Sequence, residues 1–282
     1  KTLAQAEEMW RSELSRVRVS MINEGQMTSF YTSLYHTFLS PTTYMDTDGS
    51  YRGLDQNNHT AGGFTNYTTF SLWDTYRALH PLFTIVQQRR TADMVNSMLA
   101  HYDQSVHRML PVWSHHANEN WCMIGYHAVP VIADAIVKGI GGFDRARALS
   151  ACITTARNGW YDGLDDYMNL GYVPDERTGS SVSVTLEYAY DDWCIAQAVS
   201  KLPSGELAKL PRPASSGTSV EGRSPGTGSL NTADLYNEFL DRSRNFLNVW
   251  DPSTGFMRPR KRDSSFRDGF DVLSTHGQGF IE

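Results

Sequence analysis

The segment NYTTFSLWDTYRALHPL brings an aromatic ring, a carboxylate and a guanidinium together within two helical turns, at Trp73, Asp74 and Arg77. Trp73 and Arg77 are spaced i,i+4 and would share one helix face, with Asp74 able to pair with Arg77. A protein commonly holds a sugar in this way, with a ring against the sugar's apolar face and charged groups bonded to its hydroxyls. A buried tryptophan beside a structural Asp–Arg pair has the same spacing, and spacing alone favours that second interpretation.

Two loop segments also collect polar side chains. The segment from Asp46 to Asp55 (DTDGSYRGLD) begins like a calcium loop but lacks the glutamate expected at its twelfth position, so we predict a turn. The segment PVWSHHANENWCMIGYH contains Trp113, Asn118 and Glu119 just before a predicted helix. Its adjacent histidines do not have the helical HExxH spacing of a zinc hydrolase, so we do not expect zinc there.

A third segment, TLEYAYDDWCIAQ, places Glu187, Asp191 and Asp192 at i,i+4 and i,i+5 on one predicted helix. Carboxylates on one helix face repel each other unless a positive group or a shared proton compensates. A diphosphate–magnesium site would need a second acidic motif and basic residues to hold the phosphates, and the sequence has neither. A salt-bridged acidic face is the default prediction.

Composition narrows the class of protein. The chain has 282 residues, of which 40% are hydrophobic and 20% charged, as in a soluble globular protein with a substantial core. The net charge is −6 and no basic cluster is larger than Arg258–Arg262 (RPRKR), which argues against nucleic acid as a partner. No apolar run approaches the roughly 20 residues that span a bilayer, so we expect no membrane segment.

The cysteines and sequons bear on the compartment. Cys122, Cys152 and Cys194 fit no metal-binding spacing, and we expect small buried side chains with at most one disulfide. Sequons begin at Asn58 and Asn66 and are typical of secreted proteins, although such triplets also occur by chance. We therefore predict a secreted or extracytoplasmic protein.

Helical periodicity dominates the chain. It predicts helices over 3–18, 26–39, 71–88, 92–106, 119–138, 143–157, 161–168, 183–201 and 232–247. Asp144, Ser181 and either Asn231 or Thr232 are predicted N-caps. Polar loops recur over 41–66, 107–118, 169–182 and 248–279. This alternation predicts an all-α domain, an α/α toroid with loops along one end. Residues 203–231, rich in Pro, Ser and Gly, are predicted to be a flexible insertion within one domain, 1–282.

Four long segments in the same order resemble one family, the family 92 glycoside hydrolases. They are FYTSLYHTFLSPTTYMDTDGSYRGLD, NYTTFSLWDTYRALHPL, LPVWSHHANENWCMIGYHAVPVIADAIVKGI and SVTLEYAYDDWCIAQAVSKL. The tract FLDRSRNFLNVWDPSTGFMRPR is also similar to that family. The family consists of calcium-dependent, inverting, exo-acting α-mannosidases. The resemblance implies an N-terminal β-sandwich followed by an (α/α)6 toroid. We expect this chain to hold the N-terminal half to two-thirds of the toroid, with the sandwich and the C-terminal part as its missing partners.

The resemblance also implies roles for individual residues. Glu282 would begin the family's Glu-Gly-Asn motif and act as the general acid, whereas the general base would lie outside this chain. Trp73 and Asp74 would hold the terminal mannose, and Trp113, Asn118 and Glu119 are further candidates for the same subsite. Calcium is the expected cofactor, with most of its ligands expected outside this chain.

We therefore predict an exo-acting α-mannosidase that removes terminal α-linked mannose from glycans with inversion of configuration. Its two carboxyl groups would stand roughly 6.5–9.5 Å apart so that a water molecule fits between them. One alternative is a non-catalytic glycan-binding or structural fragment, because the base is not in this chain. Another is a different toroidal glycoside hydrolase, although the acidic motifs of the glucosidase and trehalase types are absent.

Overall fold

The computed structural model describes residues 2–20, 23–208, 210, 232–274 and 277–281. The predicted insertion at 203–231 therefore lies outside the described residues except for 203–208 and 210. The predicted cap Asn231 and the predicted general acid Glu282 also lie outside them.

Helices make up about half of the described residues. They are α1 (Thr2–Leu14), α2 (Glu24–Thr37), α3 (Leu72–Thr75), α4 (Leu79–Val86), α5 (Gln88–Gln104), α6 (Ala128–Val137), α7 (Arg145–Thr155), α8 (Leu164–Leu170), α9 (Ser181–Lys201), α10 (Ser204–Leu207) and α11 (Thr232–Arg242), with a 3-10 helix over Asn245–Val249.

The strands are short and form antiparallel two-stranded ladders between the helices. They are β1 (Thr42–Thr43) with β4 (Tyr67–Thr68), β2 (Ser50–Arg52) with β3 (Asn58–Thr60), β5 (Ser114–His115) with β6 (Asn118–Glu119), and β7 (Trp250–Asp251) with β8 (Phe256–Met257).

The main helices pack around α6. Helix α6 contacts α4, α5, α7 and α9, and α9 also packs against α7 and α11. The sequence of α6 (AVPVIADAIV) explains its central place, because eight of its residues are buried and only Asp134 and Val137 are not. A helix that is apolar around most of its surface is stable only when neighbours cover it on several sides.

The long loops that connect these helices meet at one end of the packed helices. The Asn158 side chain donates to the His107 carbonyl at 2.7 Å, and the Tyr161 hydroxyl donates to the Gly125 carbonyl at 3.0 Å. These bonds join the connection between α5 and α6 to the connection that follows α7. The N-terminal turns of α9 reach the same end, because Tyr161 also packs near Tyr188. We call this the loop end.

Two predicted helices are wrong at their boundaries. The helix predicted over 71–88 is two helices, α3 and α4, separated by Tyr76–Ala78. The helix predicted over 119–138 begins only at Ala128. Trp121 and Met123 have positive φ angles of 53° and 65°, which a right-handed helix does not allow.

The predicted N-caps have mixed outcomes. Asp144 is confirmed, because its side chain accepts a hydrogen bond from the Arg147 amide at 3.0 Å. The prediction for Ser181 is wrong, since it is the first residue of α9 and Ser180 precedes it. Thr232 is likewise the first residue of α11.

The cysteines are all free. Cys152 and Cys194 are buried as predicted, whereas Cys122 is exposed. The two sequons also differ. Asn58 is exposed on β3, but Asn66 is fully buried and its amide donates to the Tyr44 carbonyl at 3.0 Å. None of the described helices is both long and apolar enough to cross a membrane.

Candidate functional site

Trp73 and Asp74 lie on α3, a single helical turn at the loop end. Leu72, immediately before them, is fully buried and fixes this turn to the core. Trp73 is partly buried against the same core, and its indole N–H has no hydrogen-bond partner among the described residues. Asp74 is exposed and accepts a short hydrogen bond from the Ser71 hydroxyl. The turn thus presents an indole and a carboxylate side by side.

Arg77 lies beside Trp73, but it does not pair with Asp74 as the spacing predicts. The prediction that Asp74 pairs with Arg77 is wrong among the described residues, because the Arg77 guanidinium donates to Glu187 on α9 at 3.0 Å. Arg77 lies in the turn that follows α3. Its guanidinium carbon still lies 5.1 Å from the centre of the Trp73 ring, within the range of a cation–π contact.

Glu187 connects α3 to the interior. One of its oxygens accepts from Arg77, and the other accepts from the Tyr76 hydroxyl at 3.0 Å. The second oxygen also lies 3.4 Å from Nε2 of His127, the residue just before α6. The opposite ring nitrogen of His127, Nδ1, bonds an Asp191 oxygen at 2.8 Å. The Tyr76 ring stacks on the His127 ring at 4.2 Å between centres.

The five side chains of Tyr76, Arg77, His127, Glu187 and Asp191 form what we call the open network. Its exposure increases outward: the side chain of Asp191 is 0% exposed, that of Glu187 is 17% exposed and that of Arg77 is 47% exposed. Burial raises the pKa of Asp191, while the neighbouring His127 lowers it and limits the rise. Burial and the adjacent Glu187 raise the pKa of the Tyr76 hydroxyl, which therefore stays a hydrogen-bond donor.

Asp192, the next residue along α9, belongs to a different group. Its oxygens accept from the Tyr126 hydroxyl at 2.8 Å, the Tyr167 hydroxyl at 3.0 Å and the Arg242 guanidinium at 2.9 Å. Burial raises the pKa of Asp192 to about 6, with Arg242 acting in the opposite direction. These four residues form the closed network, which joins α9 to α11 in the interior.

The hairpin of β5 and β6 carries the other predicted sugar ligands. Its Ser114 carbonyl accepts from the Phe70 amide at 3.0 Å, and its His116 amide donates to the Thr68 hydroxyl at 2.6 Å. The hairpin therefore lies along the strand that leads into α3. Trp113 is half-buried and Asn118 is exposed on this hairpin.

Glu119 has a local structural role. Its two oxygens accept backbone N–H bonds from Val112, Trp113 and Trp121 at 3.0, 2.8 and 3.0 Å. Burial raises the pKa of Glu119 and the backbone amides oppose that rise. The carboxylate thereby fixes the loop before α6, and a part for Glu119 in sugar binding stays a prediction.

The segment before Glu282 is tied to the start of α9. The Gly279 carbonyl accepts from the amides of Val182 and Ser183 at 2.8 and 3.0 Å, and the Ile281 amide donates to the Ser183 hydroxyl at 3.1 Å. Ser183 and Glu187 are one helical turn apart on α9, about 6 Å along its axis. Ile281 thus lies at the same end of α9 as the open network.

A cavity of about 550 Å³ opens beside this group. Helices α4, α6 and α9 form its walls, with Trp193, Tyr190 and Lys138 among the lining residues. Tyr76 and Arg77 also line it, whereas Trp73 and Asp74 do not and lie next to it. The cavity consequently reaches the predicted pair only through its two sequence neighbours.

Across the residues the structure describes, no group of three or more His, Cys, Asp or Glu side chains is placed to hold a metal ion. In the predicted turn from Asp46 to Asp55, one Asp48 oxygen accepts from the Ser50 amide at 2.9 Å and from its hydroxyl at 2.7 Å. The Asp48 carboxylate thus closes the turn that the sequence predicts here.

Sequence reasoning missed two members of the open network. Tyr76 lies within the segment NYTTFSLWDTYRALHPL, but its partner Glu187 is 111 residues away along the chain. His127 lies 64 residues from Asp191 and no local spacing joins them. The one available signal was the stack of carboxylates on α9, which requires compensating partners somewhere in the fold.

Comparison with known proteins agrees with this architecture. The family model described as "Glycosyl hydrolase family 92 catalytic domain" matches residues 1–282. No curated protein gives a significant match. The chain superimposes on the GH92 α-mannosidase BT3965 from Bacteroides thetaiotaomicron with a TM-score of 0.85 and 46% identity, covering 99% of this chain and 34% of that one.

Two further structures are similar. A complex of BT3965 with mannoimidazole gives a TM-score of 0.82 and 48% identity over 95% of this chain and 31% of that one. The GH92 inverting mannosidase BT2199 from Bacteroides thetaiotaomicron VPI-5482 gives a TM-score of 0.80 and 30% identity over 99% of this chain and 35% of that one. The chain thus spans about a third of the length of these relatives. The predicted all-α class is confirmed, with the paired helices belonging to an α/α toroid. With its whole length matched by the family model, the chain belongs to the catalytic-domain family of the family 92 glycosyl hydrolases.

Proposed function

We propose that this chain is part of an exo-acting α-mannosidase, which removes terminal α-linked mannose from glycans with inversion of configuration. Membership of the family and the likeness to two mannosidases support this proposal. The mannoimidazole complex of BT3965 supports a mannoside as the substrate class. The remainder of the toroid and a β-sandwich domain are proposed as further parts of the same protein.

One observation carries the proposal. Two separate segments meet on the first turns of α9, where Tyr76 and Arg77 bond Glu187 and Ile281 bonds Ser183. The first segment brings Trp73 and Asp74, the proposed sugar ligands. The second leads directly to Glu282, the proposed general acid. A sugar-holding group and an acid that belong to one reaction need to meet at one place, and these contacts favour that arrangement.

Each proposed residue has a definite task. The Trp73 indole would pack against the apolar face of the terminal mannose, and the Asp74 carboxylate would accept hydrogen bonds from its hydroxyls. Glu282 would protonate the leaving oxygen as the bond to the sugar breaks. A carboxylate elsewhere in the protein would activate the attacking water as the general base.

Calcium and the compartment are proposed on narrower grounds. The resemblance in sequence supports calcium, most of whose ligands would lie outside this chain, and we assign no step to it. The exposed sequon at Asn58 supports a secreted or extracytoplasmic location. Fractionation of the native host would test the location, and removal of calcium by a chelator would test the metal.

The decisive experiment follows the released sugar by proton NMR with the full-length protein and an α-mannoside. We expect β-mannose to appear first. Glu282→Gln should lower kcat by about 10²–10⁴-fold because it removes a general acid. Asp74→Ala should lower kcat/KM by about 100-fold, as for the loss of a charge-assisted contact. Initial release of α-mannose, or wild-type activity in both variants, would overturn the proposal.

A further inference from the structure

We propose that the buried His127–Asp191 pair acts as a positioning device for the sugar site, with Glu187 as the residue that it holds in place. In this arrangement Glu187 fixes Tyr76 and Arg77, and they in turn fix the neighbouring Trp73. The inference rests on the proposed function, because it assigns new positioning residues to the same site.

The contacts form an unbroken chain from the core to the surface. The Tyr126 amide and Nδ1 of His127 each lie 2.8 Å from one of the two Asp191 oxygens. Asp191 and His127 are 0% and 1% exposed, so neither side chain can exchange its partner for bulk water. The orientation of the His127 ring is therefore set by the bond from Nδ1 to Asp191 and by the Tyr76 ring stacked on one face.

The other nitrogen of the ring faces Glu187. Nε2 of His127 is buried and makes no hydrogen bond with the described residues, and a Glu187 oxygen lies 3.4 Å from it. The contact with the Glu187 carboxylate is attractive when Nε2 is the donor. Charged neighbours face the ring from both sides, with Glu187 and Asp191 on α9 and Arg77 beyond Glu187. A donor at Nε2 would thus hold the carboxylate that anchors Arg77.

The last link reaches the sugar site itself. Glu187 uses one oxygen for Arg77 and the other for Tyr76, so its position sets both side chains at once. Arg77 lies over the Trp73 ring, and Tyr76 lies 4.7 Å from the Arg77 guanidinium carbon. A shift of Glu187 would accordingly move the ring against which the sugar is proposed to pack. Misplacement of a binding group weakens binding without removing the catalytic acid.

Two isosteric variants of His127 separate this role from simple packing. In His127→Asn the side-chain amide occupies the place of Nδ1. This variant keeps the contact with Asp191 and loses the contact with Glu187. In His127→Gln the amide reaches the place of Nε2 and can still donate to Glu187. Both variants remove the stacked ring, and His127→Gln also loses the contact with buried Asp191, so a purely structural role would impair His127→Gln at least as much as His127→Asn. Glu187→Gln is a third variant, which retains an acceptor for Tyr76 but removes the charge that Arg77 requires.

The experiment measures kcat and KM of the full-length protein on an α-mannoside. We expect His127→Asn and Glu187→Gln to raise KM about tenfold, as for one misplaced charge-assisted hydrogen bond, with kcat within about twofold of the wild type. His127→Gln should restore KM to within about threefold of the wild-type value, because it keeps a donor to Glu187. Thermal unfolding confirms that each variant is folded. Glu206→Gln is the control, since it removes an Arg–Glu pair with Arg145 at the opposite end of α7 and should leave KM unchanged.

The outcomes distinguish this inference from the proposed function. If Asp74→Ala impairs the enzyme while His127→Asn and Glu187→Gln leave KM unchanged, the positioning role is wrong and the sugar site stands. Equal effects of His127→Asn and His127→Gln on kcat with no change in KM would also overturn it, as signs of packing alone. If Asp74→Ala is without effect as well, the proposed site is in the wrong place.

Discussion

Two neighbouring carboxylates of α9, Asp191 and Asp192, are equally buried but are compensated in different ways. Asp192 is paired with Arg242, Tyr126 and Tyr167; both tyrosines are fully buried, and the Arg242 side chain is 13% exposed. Asp191 is compensated through His127, and its chain of contacts continues to residues that water can reach. A buried charge with a closed set of partners stabilises the junction of two helices. One with a path to the surface can position groups that meet a ligand.

The largest expected effect comes from breaking the closed network. Arg242→Met removes the guanidinium and leaves Asp192 buried without its positive partner. We expect a loss of about 3–5 kcal/mol of stability, as for other broken buried ion pairs. Hydrogen exchange of peptides from α9 and α11 would measure it. The comparison fails if α9 keeps its protection, or if KM changes in the folded fraction of this variant.

A second prediction concerns His80, a buried histidine without a hydrogen-bond partner in the part of the chain that the structure describes. Burial lowers the pKa of His80 to about 4, and neither ring nitrogen has a hydrogen-bond partner among the described residues. Between pH 6.5 and pH 4 the unfolded chain binds this proton and the folded chain does not, so stability falls as the pH falls. His80→Phe should remove roughly 2 kcal/mol of the stability lost between pH 7 and pH 5.

Hydrogen exchange of peptides from α4, compared at pH 7 and pH 5, would check this prediction. The matched comparison is His101, another buried histidine whose pKa burial lowers to about 4. In His80→Phe the contribution of His101 should remain, so the pH dependence should shrink without disappearing. An unchanged dependence would show that His80 already has a partner for its proton in the folded protein.

A third prediction tests a carboxylate held by backbone groups. Glu119→Gln keeps one acceptor oxygen but loses the second, leaving part of the set of three backbone N–H groups unpaired. We expect a local loss of about 1–2 kcal/mol, typical of an unsatisfied buried donor. Faster exchange of amides in residues 112–121 would measure it. If KM instead rises as sharply as in Asp74→Ala, Glu119 binds the sugar directly and is not a purely structural carboxylate.

The smallest effect is expected on α1. Arg11 and Glu8 form an exposed ion pair, with side chains 72% and 70% exposed. Arg11→Gln should change the unfolding temperature negligibly, because exposed pairs contribute only about 0–1 kcal/mol. A clear drop in unfolding temperature would indicate that something covers this face of the helix in the full-length protein.

The sequence predicted the long helices better than the site. The periodic segment 183–201 matches α9 within two residues, since apolar spacing and burial agree there. The break between α3 and α4 was not predicted, and Arg77 within it bonds a partner 110 residues away, which no local spacing indicates. The carboxylates of α9 signalled that compensation was needed, but Arg242 lies 50 residues from Asp192 and only the fold reveals the pair.

The central claim is that Trp73 and Asp74 hold the terminal sugar at the outer end of the open network. A crystal structure of the full-length protein with bound mannoimidazole tests it most directly. We predict the sugar ring packed on the Trp73 indole, with a hydroxyl within about 3.2 Å of the Asp74 carboxylate. Mannoimidazole bound elsewhere, with both side chains free of contact, would contradict the account.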